Sequence, residues 1–179
     1  MNKYGNGIAY NVMAGLVMLV PAMMILFDGT DFLGGSKVFL QYALLVCGAV
    51  YLLAFVGNKR GYFRPGWILT QGFIQFFIGL FMLFCSGETF NDEIASVTFG
   101  IWAIATASAQ ISGGIQLRAL EVKRWKIPVY EGVINIVWAF ILLVNPFQTY
   151  DYLWLIAGLF LGTISVCTVL EVMVHKVIV

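Results

Sequence analysis

The feature that most constrains this chain is a set of six apolar stretches, none of which alternates polar with apolar residues. They run Ile8–Phe27, Val38–Val56, Trp67–Phe84, Ile94–Leu117, Pro128–Val144 and Leu153–Val174, with short loops rich in Gly, Asn, Asp, Lys and Arg between them. A helical crossing of a bilayer takes about 20 residues. In hydrocarbon only helices and closed barrels satisfy every backbone N–H and C=O. Barrel strands would alternate, and these stretches do not. The expected fold is therefore an all-α membrane protein with six transmembrane helices.

Composition narrows this further. Hydrophobic residues make up 61% of the chain and charged residues 11%, against about 45–50% and about 25% in soluble domains. Disorder is excluded on the same ground. Six crossings take up about 120 residues, so residues 1–179 are expected to form a single transmembrane domain with no separate catalytic part. A net charge of +1 offers no field for nucleic acid. The cysteines Cys47, Cys85 and Cys167 lie far apart in apolar runs, and His175 is the only histidine, so no metal site is expected. With no nucleophile–base pair or phosphate loop in view, neither catalysis nor a cofactor is expected. The first stretch is too long for a signal-peptide core and no small-x-small cleavage site follows it, which marks it as an uncleaved span.

Orientation follows from the basic residues. One side collects Lys3, Lys59, Arg60, Arg64, Arg118, Lys123, Arg124, Lys126 and Lys176, nine of the ten, and the other holds only Lys37. That second side also carries Asp28, Asp31, Glu88, Asp92, Glu93 and Asp151, six of the nine acids. Both termini are expected in the cytoplasm. Trp67, Trp125, Trp154, Tyr62, Tyr150 and Tyr152 near the span ends are expected to form an interfacial aromatic belt.

The odd-numbered helices resemble one another. AGLVMLVPAMMILFD from Ala14, QGFIQFFIGLFMLFC from Gln71 and EGVINIVWAFILLVN from Glu131 align without gaps. The alignment superposes Gly15, Gly72 and Gly132, and seven residues on Ala22, Gly79 and Ala139. The pattern implies three helical hairpins, approximately 8–60, 64–124 and 125–179. A two-span unit returns the chain to its starting side, so the copies share one orientation. Small residues let helices approach closely. These six, with Gly158 and Gly162 of a G-x-x-x-G on the last helix, are candidate packing positions. They leave self-association open without counting subunits. The bilayer is the expected partner, and no protein partner can be named.

Polar residues inside spans are the candidate functional groups. Gln71 and Gln75 stand one turn apart on the third helix, and Glu131 and Asn135 at the matching places on the fifth, a candidate lining for a proton or small solute. The other reading is plain interhelical hydrogen bonding. Pro128 is expected to open the fifth helix and to place Glu131 in its first turn, where an acid suits the helix dipole. There Glu131 would pair with Arg124 or Lys126 at the interface; a buried titrating carboxyl is the alternative. Glu171 and His175, one turn apart near the end of the last helix, join Glu131 as candidate pH-sensitive groups, His being the side chain that titrates nearest neutrality. On the fourth helix Ser108 and Ser112 share one face, and Thr106, Gln110 and Gly113 or Gly114 another.

Two stretches carry a family resemblance. Arg64-x-Gly66-Trp67 leads into Gly72-Phe-Ile-Gln-Phe-Phe-Ile-Gly79, and Trp125 leads into Gly132-Val-Ile-Asn-Ile-Val-Trp-Ala-Phe-Ile-Leu-Leu-Val-Asn-Pro146. The chain from about residue 38 resembles the HdeD family of bacterial acid-resistance membrane proteins, in whose two-span repeat the aromatic-plus-glycine start, apolar run and closing proline recur. The resemblance implies six spans, an inner-membrane location and a role in acid or general stress, and supplies no catalytic residues. The other expectations are a small-solute or proton channel or transporter built on helices three and five, and a membrane assembly or scaffold subunit.

Overall fold

The computed structural model describes residues 5–28, 36–57, 66–85, 92–144 and 152–175, with side chains described at 12–27, 38–53, 55–56, 66–85, 92–144 and 152–170. These residues form six helices: α1 (Gly5–Asp28), α2 (Ser36–Gly57), α3 (Gly66–Phe84), α4 (Asp92–Ala119), α5 (Lys126–Val144) and α6 (Leu153–His175). No strand occurs among them. Each helix contains one of the six apolar stretches. Four, α3 to α6, are long and apolar enough to cross a membrane, while α1 and α2 offer shorter described apolar segments, Val12–Phe27 and Val38–Leu53. Large apolar side chains such as Leu16, Phe77, Ile101, Phe140 and Val166 face outward. An apolar exterior on apolar helices is the surface of a protein in contact with lipid.

Packing is extensive in three pairs, α4 with α5, α1 with α6, and α2 with α3. It is lighter between α1 and α2, lighter again between α3 and α4, and least between α5 and α6 among the consecutive pairs. The chain is thus a ring in which α6 closes against α1. Glycine explains which pairs are tight. A methyl group on Gly15 would lie 2.9 Å from Val169 Cγ2 of α6. One on Gly72 would lie 3.1 Å from Leu52 Cγ of α2, and one on Gly132 2.6 Å from Ile111 Cγ1 of α4. At Gly48 of α2 the obstacle is main chain, the added carbon standing 2.5 Å from the backbone nitrogen of Phe76 in α3. In lipid no apolar side chain prefers a helix to a fatty tail, so close backbone packing selects the partner.

The turn between α4 and α5 is tight. Val122 N donates to Leu117 O at 3.1 Å and Glu121 N to Arg118 O at 3.0 Å, while Glu121 holds φ at 57°. This is a Schellman stop with glutamate where glycine is usual. Beyond it α5 begins at Lys126, two residues before the expected Pro128, so Glu131 falls in the second turn and not the first.

Candidate functional site

Four residues expected to line a polar path, Gln71, Gln75, Glu131 and Asn135, are all buried. The register set by the glycines explains where they meet. In each tight pair the residue just before the odd-helix glycine is Ala14, Gln71 or Glu131, and the residue just before its even-helix neighbour is Thr168, Tyr51 or Gln110. All six are buried. One turn further along the odd helices stand Met18, Gln75 and Asn135, and one turn back along α4 stands Thr106. These too are buried. The polar members of both levels lie chiefly on α3, α4 and α5.

Two hydrogen-bonded chains run through this layer. In the first, Trp102 Nε1 donates to Gln71 Oε1 at 3.4 Å, and Gln75 Nε2 donates to the same oxygen at 3.1 Å. In the second, Gln110 Nε2 donates to Glu131 Oε2 at 3.3 Å, and Asn135 Nδ2 donates to Gln110 Oε1 at 2.8 Å. Each chain is anchored by a group that works in one direction only. An indole N–H can only donate and an ionised carboxylate can only accept. The orientation of every amide is thereby fixed, and both chains end in a surplus acceptor. Gln75 Oε1 and Asn135 Oδ1 have no hydrogen-bond partner among the described residues, and neither has Thr106 Oγ1. Thr106 sits one turn from Trp102 and one turn from Gln110 on the same face of α4, between the two chains.

Glu131 is 4% exposed. Of the two expected surroundings the structure has the buried one: α5 starts two residues before Pro128, and the Gln110 amide meets the carboxyl among the helices. The Arg118 guanidinium lies 5.1 Å from the centre of the Trp125 ring and Lys126 Nζ lies 5.9 Å from it.

The layer is closed towards the N-terminal end of α4 by aromatic rings. Trp102 and Phe160 meet edge to face at 5.3 Å, with Phe99 6.2 Å from Trp102 and Trp138 6.4 Å from Phe160. Trp102 serves both regions, its N–H in the polar layer and its ring in the aromatic cluster. A second polar contact lies between α2 and α6, where Tyr51 Oη donates to Thr168 Oγ1 at 2.8 Å. Ser165 Oγ donates to the Gly15 carbonyl at 2.7 Å, and Ser96 Oγ to the Leu142 carbonyl.

Other expected positions divide. Gly79 abuts the Gln41 carbonyl and Leu45, Gly158 abuts Ile25 and Leu26, and a methyl on Gly162 would reach Ala22 Cβ at 4.0 Å. Ala139 is buried beside Leu142 and other core residues. Ser108 faces outward and bonds back to Ile104 O at 2.9 Å. Of the expected belt, Trp67 is buried and its ring fills the space beside Gly113. Trp154 is buried and its Nε1 donates to Asp92 Oδ1 at 2.9 Å. Tyr152 is exposed and Trp125 half-buried. Tyr62 and Tyr150, and the side chains of Glu171 and His175, lie outside the described residues. Trp102 was not singled out from sequence, because a tryptophan within an apolar run carries no sign that its N–H meets a partner.

No protein family, curated protein or solved structure matches this chain.

Proposed function

We propose that this is a six-span bacterial inner-membrane protein of the HdeD type, with both termini in the cytoplasm, which supports survival under acid or general stress without catalysing a reaction. Glu131 is its proton-accepting group. The reading is supported by one observation above the rest: a carboxyl buried at 4% exposure within helices of membrane-crossing character. An ionisable residue inside a span is costly and is usually retained for function. The nine-to-one distribution of basic residues supports the orientation. The gapless alignment of the odd helices supports three hairpin repeats, 8–60, 64–124 and 125–179, joined to one another by the glycine contacts of α2 with α3, α4 with α5 and α6 with α1.

The test is survival. Deletion in a strain without paralogues should lower recovery from acid challenge. The wild-type gene should restore it, and a Glu131→Gln gene made and inserted to the same level should not. Full survival of the deletion strain would sink the stress role; full rescue by Glu131→Gln would remove Glu131 from it.

A proton or small-solute pathway is a second reading, favoured by the joining of α3, α4 and α5 through polar side chains. Proton flux into liposomes carrying the purified protein, lost in Glu131→Gln, would establish it. The aromatic cluster of Phe99, Trp102, Trp138 and Phe160 favours the opposite outcome, a site open to one side only.

A further inference from the structure

We propose that Gln75, Thr106 and Asn135 form a binding site for one monovalent alkali cation, probed as sodium, with the Glu131 carboxylate one turn away as its countercharge. The inference goes beyond the stress role and does not depend on it. It rests on the kind of atom left over in the polar layer. Gln75 and Thr106 are 0% exposed and Asn135 1% exposed, yet each keeps an oxygen with no hydrogen-bond partner among the described residues. In a membrane-spanning core an unmet polar atom is expensive, and each one calls for an occupant.

The chemistry of the occupant follows from the polarity of the two chains. Glu131 orients Gln110, Gln110 orients Asn135, and Trp102 orients Gln71 and through it Gln75. The surplus atoms are therefore two amide carbonyl oxygens, which can only accept, and one hydroxyl, which accepts through its oxygen when its own proton turns away. Hard oxygens suit a hard cation. The two carbonyls repel an anion. One carboxylate suits a single positive charge, so that ion and site together are neutral in a low-dielectric interior. Helix register points to a shared place for the three oxygens. Gln110 contacts both Glu131 and Asn135, which puts Thr106, one turn back on α4, beside Asn135, one turn forward on the antiparallel α5. Gln75 reaches the same face of α4 through Gln71 and Trp102. Met18 holds the place on α1 that Gln75 and Asn135 hold on α3 and α5, so α1 offers no amide at this level.

The full-length protein, purified in detergent, would be titrated with sodium chloride against choline chloride at constant ionic strength. Tryptophan fluorescence would report binding, since Trp102 lies in the layer, and thermal unfolding would report stabilisation. The expected result is a saturable response to sodium that choline does not give. Thr106→Val and Asn135→Leu should each weaken sodium binding by about tenfold or more, the loss of one ligand being worth roughly 1.4 kcal/mol. Asn135→Asp, which keeps an oxygen and adds charge, should bind at least as tightly as wild type. Gln75→Met, which installs the residue α1 already carries, guards against a variant that fails to fold and should weaken binding likewise. No difference between sodium and choline would overturn the site and leave the oxygens to water. So would a sodium response unchanged in Thr106→Val and Gln75→Met.

Discussion

Gln110 is the residue on which the polar layer turns, because it donates to Glu131 and accepts from Asn135 at once. Replacing it with leucine removes both bonds and leaves a carboxyl and an amide facing a hydrocarbon side chain. Each newly unmet group costs about 1–3 kcal/mol. Gln110→Leu should therefore lower stability by about 2 kcal/mol or more, read as an earlier unfolding midpoint in mixed micelles of rising detergent strength. Ser108→Ala, two residues away on the outward face, should leave the midpoint unchanged. Sequence showed part of this. The i, i+4 spacing put Gln71 with Gln75, Glu131 with Asn135, and Thr106 with Gln110 on shared faces. It could not show that Gln110 would bridge to α5, since one helix's periodicity carries no register with another. Nor could it settle the depth of Glu131, which turned on two residues in the start of α5.

Glycines set the approach between helices, and they are not equivalent. At Gly48 the obstacle to a methyl group is the Phe76 backbone at 2.5 Å, which no rotamer change relieves. At Gly162 the nearest atom, Ala22 Cβ at 4.0 Å, is ordinary contact. Gly48→Ala should therefore destabilise by about 1–3 kcal/mol through forced separation of α2 and α3, whereas Gly162→Ala should be close to neutral. Unfolding midpoints of the two variants side by side would decide this, and equal midpoints would contradict the packing described. Of the G-x-x-x-G pair Gly158 and Gly162, both candidate packing positions, Gly158 is the tighter. The α4–α5 turn gives a gain instead of a loss. Glu121 pays a conformational cost at φ 57° that glycine would not. Glu121→Gly should raise stability by about 1 kcal/mol, seen as a later midpoint in the same assay.

At the scale of the molecule the decisive contact is the closure of α6 on α1, the two helices furthest apart in sequence. Their separation at Ala22 and Gly162 falls in the range that a disulfide spans between Cβ atoms, about 3.5–4.5 Å. In a chain whose Cys47, Cys85 and Cys167 are replaced, Ala22→Cys with Gly162→Cys should oxidise to an intramolecular bond. After cleavage at a site introduced between α3 and α4, the halves should travel together on a gel until reduced. Halves that separate without reductant would refute the closed ring. A ring also explains why the polar layer is one-sided. Its amides and carboxyl come from α3, α4 and α5, while Ala14 and Met18 stand at the corresponding places on α1.

Sequence alone determined the six apolar helices, their ends to within a few residues, and the faces that carry glycine and polar groups. These are properties of a segment by itself: the length needed to cross a bilayer, the absence of alternation, the 3.6-residue period. Tertiary structure alone decided which faces meet. Inside lipid a helix that is apolar all round has no hydrophobic reason to choose a neighbour, so pairing waits on the fit of backbone against backbone at Gly15, Gly48, Gly72 and Gly132. That fit buries Glu131 and Trp67 among the helices, which their sequence surroundings left open, and brings the polar groups of α3, α4 and α5 together.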